Sequence, residues 1–159
     1  MKIFTLVVLI SLLPTHKTLK NSPLQFSYDK VMMYYFDGGM RSDLSIVDAS
    51  GHIAKSMTKQ FVLDKESALS LTRKLGEKES FNNEMAACFE PGLGFVYYLK
   101  GKIVLSITVC LGCNIIVSSI PLDPKKPEKF WAGGYFVGSP SKPFLAFFNR
   151  LLKRYPLNP

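Results

Sequence analysis

Three cysteines, Cys88, Cys110 and Cys113, are the residues of this 159-residue chain whose type and spacing suit a defined chemistry, the last two within Cys110-Leu111-Gly112-Cys113. Thiols so placed do one of three things. They close as a structural disulfide, most simply Cys88 to Cys113 or Cys110 to Cys113, with one thiol left over. They work as a Cys-x-x-Cys redox pair with Cys88 as a third thiol, which requires a thiol pKa lowered by a helix N-terminus or a nearby cation. Or they hold a metal: Cys-x-Gly-Cys is a compact knuckle, and structural zinc takes four ligands from Cys and His. Three cysteines leave one zinc position open, and the sole histidine beyond residue 21 is His52, beside a turn. The brace is the reading we carry forward, with no cofactor expected and zinc as the metal to test.

The element that must position these thiols is a β-hairpin. Residues 95–99 and 103–109 are rich in β-branched and aromatic side chains and flank Lys100-Gly101-Lys102. A turn centred on Lys100-Gly101, continued down both strands, sets Cys113 opposite Cys88 and Cys110 opposite Pro91; one centred a residue later matches Cys113 with Glu90. Antiparallel partners have Cα atoms about 4.5–5.5 Å apart, within disulfide reach, although Pro91 interrupts a ladder there. Residues 114–120 read as a further strand, so the helix dipole that activates such a motif is not expected after Cys113.

Around the hairpin the pattern predicts an α+β fold, a mostly antiparallel sheet with two helices packed on one face. Residues 25–36 carry Phe26, Tyr28, Val31, Tyr34, Tyr35 and Phe36 and end at Asp37-Gly38-Gly39, a strand and its turn. Residues 44–54 read as a small hairpin about Ala49-Ser50-Gly51. Asp64 is a helix cap before Ala68, Leu71 and Leu75, predicting a helix over 65–75. Phe144, Leu145, Phe148, Leu151, Leu152 and Tyr155 share the face of a second. Because the helices fall in the middle and at the end, not between successive strands, they belong on one side of the sheet. Residues 121–138 read as a Pro- and Gly-rich loop whose Phe130, Trp131, Tyr135 and Phe136 form a possible contact surface.

Other chemistry finds little support. With one histidine beyond residue 21 a Ser-His-Asp arrangement is unsupported, Gly92-Leu93-Gly94 and Gly38-Gly39 lack phosphate-loop spacing, and Asp37, Asp43 and Asp48 do not match a calcium loop. The balance leans away from an enzyme.

Met1-Lys2 followed by an apolar run over residues 3–13 has the proportions of a secretory signal peptide. Pro14, His16 and Lys17 end the run well short of the roughly 20 residues a membrane span needs. No clean small-x-small cleavage site follows, so we assign 1–21 as signal and 22–159 as a single domain, periplasmic or extracellular, membrane-associated only if the N-terminal segment is retained. The chain is 47% apolar with 20 Lys plus Arg against 12 Asp plus Glu, a formal +8. Lys2, Lys17 and Lys20 fall in the first 21 residues, leaving +5 beyond them. The basic residues are scattered, without the clustered stripe a nucleic-acid partner would require.

The stretch Ala87-Cys88-Phe89-Glu90-Pro91, the hairpin from Gly94 to Val104, and Ile107-Thr108-Val109-Cys110-Leu111-Gly112-Cys113-Asn114 together resemble the core of a group of small, uncharacterised bacterial exported proteins that carry a Cys-x-x-Pro segment, a hairpin and a Cys-x-x-Cys in this order. Where that pattern often has Arg-His or Arg-Asn after the proline, this chain has Gly92-Leu93. The resemblance covers about a sixth of the chain and implies that the three cysteines act together; it implies no activity.

Overall fold

A computed structural model describes residues 24, 26–39, 43–82, 88–123 and 126–158. The signal segment assigned to 1–21 lies outside these residues. Among the described residues seven strands form one antiparallel sheet: β1 (Lys30–Phe36), β2 (Met57–Val62), β3 (Phe81–Asn82), β4 (Leu93–Leu99), β5 (Lys102–Cys110), β6 (Ile115–Ser118) and β7 (Tyr135–Pro140), in the spatial order β2-β1-β4-β5-β6-β7-β3. The helices are α1 (Lys65–Gly76) and α2 (Lys142–Arg154). The α+β architecture expected from the order of elements is the one observed.

Alternation along the strands decides which side each helix covers. Val31, Met33 and Tyr35 of β1, Phe95 and Tyr97 of β4, and Leu105, Ile107 and Val109 of β5 point to one face, where they bury Leu71 and Leu75 of α1 and Phe144, Phe148 and Leu151 of α2. Phe148 is fully buried and stacks on both Phe95 and Phe144, with ring centroids 5.9 and 4.5 Å away. The Asp64 carboxylate caps α1 by accepting from the Ser67 amide at 3.0 Å. It also accepts from the Tyr155 hydroxyl and pairs with Arg154 Nη2 at 3.1 Å, tying the end of α2 to the start of α1.

Among the described residues the opposite face has no helix. Its β1–β4 portion is covered by residues 43–56, from which fully buried Ile46 descends among Tyr34, Phe36 and Val96. Gly94 permits the approach: a Cβ there would stand 2.4 Å from Ile46 Cβ. The Ile46 amide donates to Thr108 Oγ1 at 3.2 Å, fixing the flap to β5. Within the flap the expected hairpin is reduced to one bridge, Val47 to Ile53, around Gly51 at φ +81°.

Two expectations are corrected, and strand β2 is an element the residue pattern does not predict. The first strand begins at Lys30, not near residue 25, because Tyr28 turns in to meet Tyr97 edge-on. Residues 121–138 are not wholly loop: Tyr135 and Phe136 open β7, paired to β6 through Ser118–Tyr135 and Val117–Phe136. Strand β2 is an edge strand with alternating exposure whose Met-Thr-Lys-Gln-Phe-Val sequence carries little hydrophobic contrast.

Candidate functional site: a thiol cluster under an aromatic lid

The hairpin turns through Lys100 and Gly101, at φ +51° and +78°, so that Leu99 pairs with Lys102. An irregularity between Tyr97 and Tyr98 then advances the register by one residue, and the ladder ends at Leu93–Val109. Residues 88–91 lie beyond the ladder and pack beside it, with Pro91 against Gly38, where a Cβ would fall 2.3 Å from the Pro91 carbonyl oxygen. The continuous register that would set Cys88 opposite Cys113 is therefore absent, yet the two residues meet through the packed segment.

Cys110 ends β5 and pairs with Ile115 across the turn that leads into β6, with Asn114 at φ +53°. This turn brings the Cys113 amide to Cys110 Sγ, to which it donates at 3.2 Å. Cys88 Sγ lies 2.7 Å from Cys113 Sγ and donates to it. All three cysteines are free thiols, Cys88 exposed and the other two buried. Cys113 is thus the middle sulfur, with Cys88 on its solvent side and Cys110 on its core side.

The electrostatics disfavour thiolate. The hydrogen bond to Cys113 raises the Cys88 pKa, with desolvation adding to it. Burial raises Cys113, the contact with Cys110 adds to the rise, and hydrogen bonds from Cys88 and the Glu90 amide offset part of it. Neither a cation nor a helix N-terminus is among those causes, and the chain after Cys113 is strand β6, as expected. Both sulfurs are protonated thiols at neutral pH, lacking the depressed pKa of a redox catalyst.

The site is roofed by aromatic rings. Phe89 is buried and meets Phe130 edge-on at 4.8 Å, and Phe130 stacks on Phe136 at 6.3 Å; with Cys110, Cys113, Ile115 and Val117 they form one apolar cluster. Of the four aromatic residues expected as a contact surface, Phe130 is core, Tyr135 and Phe136 are half-buried strand residues, and Trp131 is 68% exposed, leaning on Phe89 and Phe130. Sequence reasoning missed Gly94 with Ile46 and the Glu90 amide. A glycine inside an apolar strand was the available signal for the first; nothing local announces the second.

His52 is remote in role: it is exposed and faces Asp48 at 3.8 Å. Among the described residues no group of three or more His, Cys, Asp or Glu side chains is arranged to hold a metal ion, and no helix is long and apolar enough to cross a membrane. Comparisons with protein-family models, curated proteins and solved structures find no match.

Proposed function

We propose that the chain is an exported, non-enzymatic binding module in which Cys88 and Cys113 close as a disulfide and brace the segment leading into the β4–β5 hairpin. The observation that carries this reading is the 2.7 Å approach of Cys88 Sγ to Cys113 Sγ across 25 positions of sequence. A shift of well under 1 Å brings them to the covalent separation of about 2.05 Å. Closure removes two protons and two electrons, taken up by an external disulfide that becomes two thiols, as in the oxidising compartments to which signal peptides deliver proteins. The exposed Trp131, set on the rings above the brace, is the contact residue of the module.

The test is intact mass of the exported protein with thiol alkylation before and after reduction. Two alkylation sites that appear only after reduction, mapped to Cys88 and Cys113, are the expected result; three sites reactive without reduction overturn the brace. The same spectrum reports whether residues 1–21 have been removed.

A further inference from the structure

The brace leaves Cys110 over, and its placement is not that of a bystander. Cys113 is flanked by both other sulfurs: Cys88 Sγ at 2.7 Å, and Cys110, whose Sγ accepts from the Cys113 amide at 3.2 Å and whose side chain also contacts the Cys113 thiol. Cys88 is exposed, whereas Cys113 and Cys110 are only 5% and 1% exposed. Thiol–disulfide exchange needs an attacking sulfur beside a disulfide sulfur and a leaving sulfur with somewhere to go. Cys110 supplies the first from inside the cluster and Cys88 the second at the surface. We infer that Cys113 is the shared central sulfur of a three-sulfur exchange, and that Cys88, when released, is a surface site for mixed-disulfide formation with a small external thiol compound.

This rests on the brace reading and extends it. Cys110, as thiolate, attacks Cys113 Sγ of the Cys88–Cys113 bond; the Cys110–Cys113 bond forms, the Cys88–Cys113 bond breaks, and its electron pair leaves on Cys88 Sγ, which takes up the proton Cys110 gave. The number of disulfides is unchanged, so the step needs no oxidant. The freed Cys88 thiol gives that proton up again and, as thiolate, attacks an external disulfide, forming a Cys88 mixed disulfide and releasing one external thiolate, which takes the proton. Cys88, whose pKa is raised foremost by its contact with Cys113, is the leaving sulfur, so the rearrangement is a slow equilibration and not a turnover.

The experiment uses the full exported chain equilibrated with oxidised and reduced glutathione, quenched in acid, alkylated and digested after lysine. Lys78, Lys100, Lys102 and Lys125 bracket the cysteines so that Cys88 falls on one peptide and Cys110 with Cys113 on another. A Cys88–Cys113 bond therefore links two peptides, whereas Cys110–Cys113 lies within one. Both linkages are expected in the wild type, with glutathione on Cys88 confined to molecules carrying Cys110–Cys113. Cys110→Ala should keep the cross-link and lose the glutathione adduct, and Cys113→Ala should lose every internal disulfide. A wild type holding only Cys88–Cys113 at all glutathione ratios overturns the exchange and leaves the brace standing. Three free thiols, or Cys110–Cys113 as the sole linkage, overturn both. A Cys88–Cys110 bond in Cys113→Ala would show that Cys113 is not the central sulfur.

Discussion

The two faces of the sheet are built by different means. On one, two amphipathic helices bury a continuous layer of aliphatic and aromatic side chains that project at regular intervals from β1, β4 and β5. On the other, cover is piecemeal: a flap seated by Ile46 over Gly94, and separately a thiol and aromatic cluster closed by residues 88–91 and 126–136. The helix face takes its stability from area and periodicity. The loop face depends on a few close approaches, each involving one glycine, one hydroxyl or one pair of sulfurs, and all three cysteines lie there. Regular packing makes the scaffold, while chemistry gathers where chain segments meet without a repeating pattern.

The contrast can be broken by substitution. Phe148→Ala, in the middle of the helix face, removes a fully buried ring stacked on two others. It should cost about 3–5 kcal/mol in urea unfolding and should do so equally in oxidised and reduced protein. The loop face should instead respond to redox state: oxidation should stabilise the wild type by about 3.5 kcal/mol, the entropic value for a loop of this size, and leave Cys113→Ala unchanged. If oxidation and reduction give the same midpoint, the brace contributes no stability and the loop face stands on packing alone.

Smaller effects sharpen the same difference. Gly94→Ala drives a methyl group into Ile46 and should cost roughly 1–3 kcal/mol. In an Ile46→Ala background that penalty should largely vanish, and a penalty that persists would place the strain in the strand, not in the flap. On the helix face, Asp64→Ala removes the cap of α1 and should cost about 1 kcal/mol at neutral pH. The Tyr155 hydroxyl foremost, with the Ser67 amide and Arg154, holds the Asp64 carboxyl well below the ordinary carboxylate range. Its folded pKa lies beneath the unfolded value of about 3.9. The stability it contributes is therefore present above that pH and lost as pH falls through the lower folded value. Asp64→Asn keeps a capping side chain and should flatten the acid side of the pH–stability curve, measured from pH 5 downward; an unchanged acid limb would show that other carboxylates set it.

Much of the frame was legible in the amino-acid sequence. The spacing of Leu71 and Leu75, and of Phe144, Phe148 and Leu151, determines two helices because one face must be apolar every three or four residues. Lys100-Gly101 determines a tight hairpin because a two-residue turn of this kind needs positive φ at both positions. Asp64 announces its cap, and the residues after Cys113 exclude an activating helix.

What only the tertiary structure decided is how the thiols meet. The irregularity at Tyr97 and Tyr98 displaces the register, so pairing extrapolated from the turn does not bring Cys88 to Cys113; the wedge of Pro91 beside Gly38 does. Likewise Phe130 became core and Trp131 surface although they adjoin in sequence, because β7 pairs with β6 and sets which ring falls over Phe89. Local patterns report periodicity and backbone geometry, which act within a turn or a strand. The contacts that assemble this cluster join segments distant along the chain, and their positions follow from the packing of the whole sheet.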